Sequence, residues 1–466
     1  MDLPPADALC FFGATGDLAY KQIFPALQAM AKHGTLTVPV IGVAKSGWTL
    51  EQLVERARAS VTAHSGLDPE AFPRLVALLR YVDGDYHDPA TFTRLRELLG
   101  PARFPLHYLA IPPSLFPVVV RHLSESGCAR GARVVVEKPF GRDLTSAQQL
   151  NRLLHRVFDE NAIFRIDHFL GKEPVQNLVY FRFANSFLEP IWNRIYVKSI
   201  QITLAEQFGV QGRGAFYEEA GAIRDVVQNH LLQVTALLTM EAPNPLAADS
   251  LREEISDVLS AIPPLSPEAV VRGQYLGYRQ EPNVAPTSTV ETFAAVKLWV
   301  ENWRWAGVPI YLRTGKMLPL TANEVVVQLR APPVAVFNQR DLGPTNSLRF
   351  RLSPEVQIVL EARKKKERER MVGEPVELVA VSDPGEDMLP YERLLTDALR
   401  GDQTLFARQD AVEHCWRIVQ PALENVTPLF FYPPGSWGPP EQERVLEAGD
   451  RWRDPSVVAG PEGASA

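Results

Sequence analysis

The segment "ALCFFGATGDLAYKQIFPAL", Ala8–Leu27, decides the reading of the fold. Five residues with apolar side chains run into Gly13, a second glycine follows at 16, and a helical pattern opens at Asp17 and Leu18. A short apolar run closed by glycine predicts a buried strand. A strand, a glycine turn and a helix in that order is how a parallel βαβ array presents its backbone to a dinucleotide pyrophosphate. Glycine lets the chain bend tightly, and the helix start offers free N–H groups at a positive dipole end. The spacing is G-x-x-G-x-x-A, ending at Ala19, rather than G-x-G-x-x-G. A purely structural turn can share this short pattern, and its place on the first strand argues for the ligand.

Outward from this turn, five more short apolar runs follow: "VPVIGVA", "LLRYVDGD", "PLHYLAIP", "ARVVVEKP" and "AIFRIDHF". Segments such as "LEQLVERARAS" and "SAQQLNRLLHRVF" lie between them, with apolar residues at helical spacing. Six strands alternating with helices predict a parallel sheet covered on both faces, a Rossmann-like domain over residues 1–174. After about residue 175 the rhythm becomes alternating: "SIQITLAEQF", "ETFAAVKLWVEN", "EVVVQLRAPP", "SLRFRLSPEVQIVLEARKK" and "PVELVAVSD". These predict antiparallel strands. Helical patterns interrupt them at 217–240, 248–260, 389–400 and 410–424. Residues 175–466 are therefore expected to form an α+β domain around a large, mainly antiparallel sheet. The mixed-charge run "RKKKERER", Arg363–Arg370, reads as a solvated hairpin, and the Pro- and Gly-rich tail after Trp437 as peripheral.

Composition bounds the rest. The chain has 466 residues, 46% hydrophobic and 22% charged, enough for two or three domains. Its 48 Lys+Arg against 55 Asp+Glu give −7, which speaks against a nucleic-acid surface but permits an anionic small molecule. Cys10, Cys128 and Cys415 lie far apart with no metal spacing, so a reduced compartment and no metal site are expected. "MDLPPADALC" lacks the pattern of a signal peptide, and no apolar run reaches membrane-spanning length. A cytoplasmic enzyme or binding protein is the expectation.

Charged residues then gather at the strand ends. The second strand ends in "GVAKSG", with Lys45 and Ser46 where an acid would hold the ribose of NAD. That favours NADP, with NAD use possible because lysine is a point charge rather than a fork. Asp85 and Tyr86 close the third strand, either lining the adenine side or forming a simple turn. Lys138 ends the fifth strand and the pair Asp167–His168 the sixth, at the edge where ligands of parallel sheets bind. The helix pattern around "GAIRDVVQNHLLQ" carries Asp225, Gln228, Asn229 and His230 amid apolar residues. Regular helix geometry turns Asp225 and His230 about 140° apart, so an orienting carboxylate for His230 is expected from elsewhere, Asp167 being the candidate.

"FGATGDLA", "VVVEKPFG", "RIDHFLGKE", "GAIRDVVQNHLLQ", "RGQY" (272–275) and "NWRWAGVPIYLRTGK" (302–316), in this order, resemble the glucose-6-phosphate dehydrogenase family. The likeness runs on through "YERLLTDALRGDQTLFARQD" (391–410) to "GSWGP" (435–439), nearly the whole chain, and "RIDHxLGKE" is its most specific block. The resemblance implies oxidation of glucose 6-phosphate to 6-phosphoglucono-1,5-lactone with hydride transfer to NADP, the entry to the pentose phosphate pathway. It implies His230 as general base with Asp167 as its partner, and His168 and Lys172 on the 6-phosphate. Glu206, Asp225 and Lys316 match substrate-binding positions, and Lys138 stands between substrate and nicotinamide. Gly13, Thr15, Gly16, Asp17, Leu18, Lys45, Asp85 and Tyr86 would serve the cofactor. Pro139 matches a family proline whose peptide bond can be cis. A homodimer or homotetramer formed through the large sheet is implied too.

Some positions depart from the family. Tyr20 and Gln22 stand where lysines are common, Phe169 replaces a usual tyrosine, and Thr321 stands where a second cation often follows "RTGK". Lys45 replaces a usual arginine and Ile255 a lysine. Losing charge-assisted contacts weakens or redirects substrate binding. Two rival readings follow: a dehydrogenase of another aldose or aldose phosphate, and a catalytically silent NADP-binding regulator.

Overall fold

The computed structural model describes residues 4–244, 249–334, 336–337, 345–381, 388–424 and 426–456. These fall into two compact units. The first comprises Met1–Glu173, Pro243–Glu253 and Glu386–Glu413, and the second Pro174–Ala242, Glu254–Gly385 and His414–Ala466. A contiguous division at 174/175 therefore leaves out two segments that join the first unit from further along the chain.

In the first unit, β1 (Ala8–Phe12), β2 (Val40–Ala44), β3 (Leu79–Asp83), β4 (Pro105–Leu109), β5 (Arg133–Val136) and β6 (Ile163–Ile166) form a parallel sheet ordered β6-β5-β4-β1-β2-β3. A short strand, Phe406–Ala407, adds antiparallel to β6. β1, β2, β4, β5 and β6 are buried along their length, as both-face coverage requires. Two apolar cores sandwich the sheet. One contains Leu9, Phe11, Phe24 and Leu27; the other contains Cys10, Phe12, Phe92 and Val134. The helix Pro390–Arg400 belongs to the first core through Leu394, Leu395, Ala398 and Leu399, which is why this late segment joins an early domain. The strand order reverses between β1 and β4, the crevice where such sheets take their ligands.

In the second unit, β7 (Val197–Ala205), β8 (Val270–Tyr275), β9 (Phe293–Leu298), β10 (Ile310–Gly315), β11 (Ala322–Leu329), β12 (Ser347–Ser353), β13 (Gln357–Lys365) and β14 (Gly373–Val381) form one sheet. Its order is β14-β13-β12-β11-β7-β10-β9-β8, closed by Leu429–Tyr432. β10 runs parallel to β7 and the last strand parallel to β8; the other pairings are antiparallel. The charged run 363–370 spans the turn between β13 and β14. The end of "PVELVAVSD" and residues 457–466 lie outside the described residues.

The tail after Trp437 is not peripheral. Val445 and Trp452 are buried in a core with Tyr217, Phe293 and Tyr311, and Arg313 stacks between Trp437 and Trp452 at 4.8 and 4.6 Å. Aromatic residues spaced among prolines and glycines cover this sheet without forming an element of their own, so periodicity could not reveal them. No helix among the described residues is long and apolar enough to cross a membrane.

Candidate active site

The glycine turn leaves β1 at the crevice. Gly13 has φ +85, and a Cβ there would stand 2.2 Å from the Ala110 carbonyl oxygen at the end of β4, so both conformation and space demand glycine. Its N–H donates to the Val43 carbonyl at 2.9 Å and to the Tyr86 hydroxyl at 2.8 Å; that hydroxyl donates to Val43 in turn. Tyr86 is thus a buttress beneath the turn. Gly16 N–H closes the turn on the Gly13 carbonyl, and a helix starts at Asp17 with Gly16 and Asp17 exposed. The turn has the small residues and the open helix start that a pyrophosphate requires.

At the end of β2, Thr15 and Ser46 share a hydroxyl hydrogen bond of 2.8 Å, tying this loop to the glycine turn. Lys45 is exposed, and its ammonium donates to Asp85 Oδ2 at 2.7 Å. Asp83, at the end of β3, was not anticipated as a site residue. It accepts the N–H groups of Ser46 and Gly47 at 3.0 and 2.8 Å and so fixes the loop that carries Lys45.

The ends of β5 and β6 carry the next group. The bond between Lys138 and Pro139 is cis, as the family proline implied. Asp167 is buried and accepts the Phe169 N–H at 2.9 Å, forming the turn that leaves His168 and Lys172 half-exposed. The Lys172 ammonium lies 4.6 Å from the centre of the Phe169 ring. Glu137, beside Lys138, is buried, and burial pushes its carboxyl up to about 7 although Tyr108 and Tyr391 hydrogen-bond it. Burial, reinforced by Glu137 and then by Asp167, holds the Tyr391 phenol high. Glu137 and Tyr391 escaped the sequence reading, although an acid at the end of the apolar run "VVV" is itself a clue.

In the second unit His230 sits on a chain of three helical pieces, Gly214–Ala222, Ile223–Leu231 and Leu232–Thr239. Gly221, with φ 62 and ψ 176, breaks the first piece; a Cβ there would meet Glu291 Oε1 at 2.4 Å. Glu291 then serves the new helix start, its backbone carbonyl accepting the Ala222 N–H and its carboxylate the Ile223 N–H at 3.1 Å. Arg272 clamps that carboxylate at 3.1 and 3.2 Å. Arg272, the first residue of "RGQY", and Glu291 therefore position the helix of His230, a role the motif alone did not disclose.

Ile223–Leu231 is wound wide, with hydrogen bonds spanning five residues, and His230 is buried within it. In such a turn residues five apart stack near one another rather than facing away. The 140° offset between Asp225 and His230 drawn from regular helix geometry is thereby overturned. Glu206 and Lys316 pair at 2.5 Å, and the Lys316 ammonium lies 5.0 Å from the Tyr217 ring centre. Burial, reinforced by the Asp225, Glu206 and Glu291 carboxylates, pushes the Tyr217 phenol well above its ordinary value. The second unit thus gathers Glu206, Asp225 and Lys316 around Tyr217, which the sequence reading did not single out.

Residues 10–177 match the model of the NAD binding domain of glucose-6-phosphate dehydrogenase, and residues 179–453 match that of its C-terminal domain. This chain belongs to the glucose-6-phosphate dehydrogenase family. A glucose-6-phosphate 1-dehydrogenase 1 of Mycobacterium tuberculosis is 45% identical over 98% of both chains. One from Aggregatibacter actinomycetemcomitans is 40% identical over 96% of this chain and 97% of its own. The crystal structure of the Mycobacterium avium glucose-6-phosphate 1-dehydrogenase superposes with a TM-score of 0.92 at 44% identity, covering 98% of this chain and all of the other. A glucose-6-phosphate dehydrogenase in complex with glucose 6-phosphate matches at 0.89 and 33% identity, over 97% of this chain and all of its own.

Several departures from the family pattern have local explanations. Tyr20 packs under Arg56, 4.1 Å from its ring centre, and edge-on to His64. Thr321 accepts the Gln207 N–H at 3.0 Å, steadying the turn beside Glu206. Ile255 is buried, where a lysine would need a partner. Gln22 is exposed, and nothing in the structure explains it.

Proposed function

We propose that the protein oxidises D-glucose 6-phosphate to 6-phosphoglucono-1,5-lactone and passes the hydride to NADP(+), the first step of the oxidative pentose phosphate pathway. The observation that carries this reading is the end-to-end likeness to glucose-6-phosphate 1-dehydrogenases, in a chain that keeps His230, Asp167, His168, Lys172 and Lys138. The nicotinamide, when bound, accepts the hydride from C1. The glycine turn and helix start suit the pyrophosphate, and Lys45, with no acid ending β2, suits a 2′-phosphate. The first unit would serve the cofactor and supply Asp167, His168 and Lys172, and the second would serve the substrate and assembly.

His230 takes the proton of the C1 hydroxyl as hydride departs, which spares the sugar a high-energy oxocarbenium. Imidazole titrates near the working pH and suits this task. Asp167, buried at the end of β6, stabilises the imidazolium that forms. His168 and Lys172 meet the 6-phosphate, and the Phe169 ring under Lys172 substitutes packing for the hydroxyl of the usual tyrosine. Glu206 and Asp225 accept hydrogen bonds from sugar hydroxyls. Lys316 neutralises Glu206, and Lys138 lies between the reacting partners. The protein acts as a homo-oligomer in the cytoplasm.

The test follows reduced-nicotinamide absorbance with glucose 6-phosphate and either cofactor. Turnover is expected with NADP(+), and His230→Asn is expected to lower kcat by about a thousandfold. Protein that binds NADPH yet turns over another aldose phosphate in place of glucose 6-phosphate, or none at all, would refute the assignment.

A further inference from the structure

The Lys45–Asp85 pair lies at the ends of two adjacent strands, beside a loop already tied to the glycine turn. Both partners are held. The loop of Lys45 is pinned by Asp83 through two backbone N–H groups and by the Thr15–Ser46 hydroxyl contact. Asp85 Oδ1 accepts the His87 N–H at 2.9 Å and contacts His87 Nδ1 at 3.0 Å. The Asp85 carbonyl accepts the Asp88 N–H and the Thr91 hydroxyl, so its carboxylate stands on a fixed turn. The remaining oxygen, Oδ2, takes the Lys45 ammonium at 2.7 Å. The His87 N–H and Lys45 together keep Asp85 well below the ordinary carboxylate range, so it is an anion throughout the working pH range.

An anion held there acts in two ways on an adenosine ribose at the end of β2. Against a 2′-phosphate it competes for the one ammonium that recruits it and adds like-charge repulsion. Towards a free 2′-hydroxyl it is an acceptor, the part an acid at the end of β2 plays in NAD-binding folds. We propose that Asp85 is a specificity-determining residue that opposes Lys45, lowering the preference for NADP(+) and admitting NAD(+). The proposal rests on the reading that Lys45 faces the 2′ position, and it supplies the acid that β2 lacks from the neighbouring strand.

Binding of 2′,5′-ADP and of 5′-AMP to the full chain by titration calorimetry tests the idea without turnover. Asp85→Asn retains an oxygen for His87, so the turn survives; an unchanged thermal midpoint checks this, and Asp85→Ser replaces it if the asparagine variant misfolds. The ratio of affinities, 2′,5′-ADP over 5′-AMP, is expected to rise about two- to fivefold in Asp85→Asn, the span exposed ion pairs reach. The gain should shrink as ionic strength rises. The ratio of kcat/KM for NADP(+) over NAD(+) is expected to move the same way. An unchanged ratio in Asp85→Asn, with Lys45→Ala lowering it, would overturn the role of Asp85 and leave the 2′ site standing. An unchanged ratio in Lys45→Ala would remove the reading of the 2′ site itself, and the proposal with it.

Discussion

Glu137 is an acid where the sheet has no room for a charge. It follows the buried run Val134–Val136, receives the Tyr108 hydroxyl at 2.5 Å and a second hydrogen bond from Tyr391, and still keeps its proton up to about pH 7. Two donors lower a carboxyl; burial raises it and wins here. In the unfolded chain the same group releases its proton near 4.5. Between those values the native state holds more protons than the unfolded one, so stability falls as pH rises through that window. Glu137→Gln keeps a carbonyl for the tyrosines and removes the titration. Its stability relative to the parent is expected to improve on going from pH 5 to pH 8, by up to roughly 3 kcal/mol for a shift of this size. Unfolding midpoints of both proteins at the two pH values check this, and an offset independent of pH would show that Glu137 is charged in the fold.

At the scale of elements, the helix Pro390–Arg400 shows how a distant segment is recruited. Its buried leucines each contribute about 1.5–3 kcal/mol to the first core. Burying its C-terminal end leaves carbonyls that need donors. Arg133, on β5, supplies them: its guanidinium donates to Ala398 and Leu399 at 3.1 and 3.0 Å, and also to the Pro4 carbonyl. Arg133→Leu strands those carbonyls, at a cost of about 2–4 kcal/mol. Faster amide exchange is expected in Pro390–Arg400, with β1 and β2 still protected. Equal loosening of the whole sheet would make Arg133 a general core residue instead of a clamp for this helix. Much of the architecture was legible beforehand because period-2 and period-3.6 patterns are local: the six parallel strands and the helix near 389–400 follow from them. The recruitment of that helix was not legible, because it depends on a partner more than 250 residues away. β8 and β10 were met only as motifs, "RGQY" and "PIYLRTG", since fully buried strands lack alternation. The site residues at strand ends were readable because a charge after an apolar run is conspicuous. Tyr217 was not, an aromatic in a helix being indistinguishable from ordinary core. The wide turn at Ile223–Leu231 was unreadable too, since nothing in a one-residue change of hydrogen-bond ladder shows in spacing.

At the scale of the whole molecule, the large sheet ends on β14, an edge strand that is solvent-exposed along most of its length. Leu378, Val379 and Val381 are 51–61% exposed there. A long apolar edge invites pairing, and proteins that keep one either blunt it or cover it. Lys364 and Glu374 blunt the hairpin end, pairing at 3.4 Å, but the Leu378–Val381 end carries no charge. A second copy of the chain is the occupant proposed, which agrees with the oligomer that the family resemblance implies. Val379 and Val381 share one face, because side chains alternate along a strand. Placing glutamate at both positions sets two carboxylates against the same patch on the partner, which a twofold contact doubles. The double variant Val379→Glu/Val381→Glu is therefore expected to run as a monomer by light scattering at micromolar concentration, and the parent as a dimer or tetramer. Val379 and Val381 are themselves half or more exposed on the edge strand, so the fold should survive and the monomer should keep its far-ultraviolet dichroism. A parent that is already monomeric, or a variant that keeps the parent's mass, would mean that the apolar edge of β14 is tolerated rather than covered.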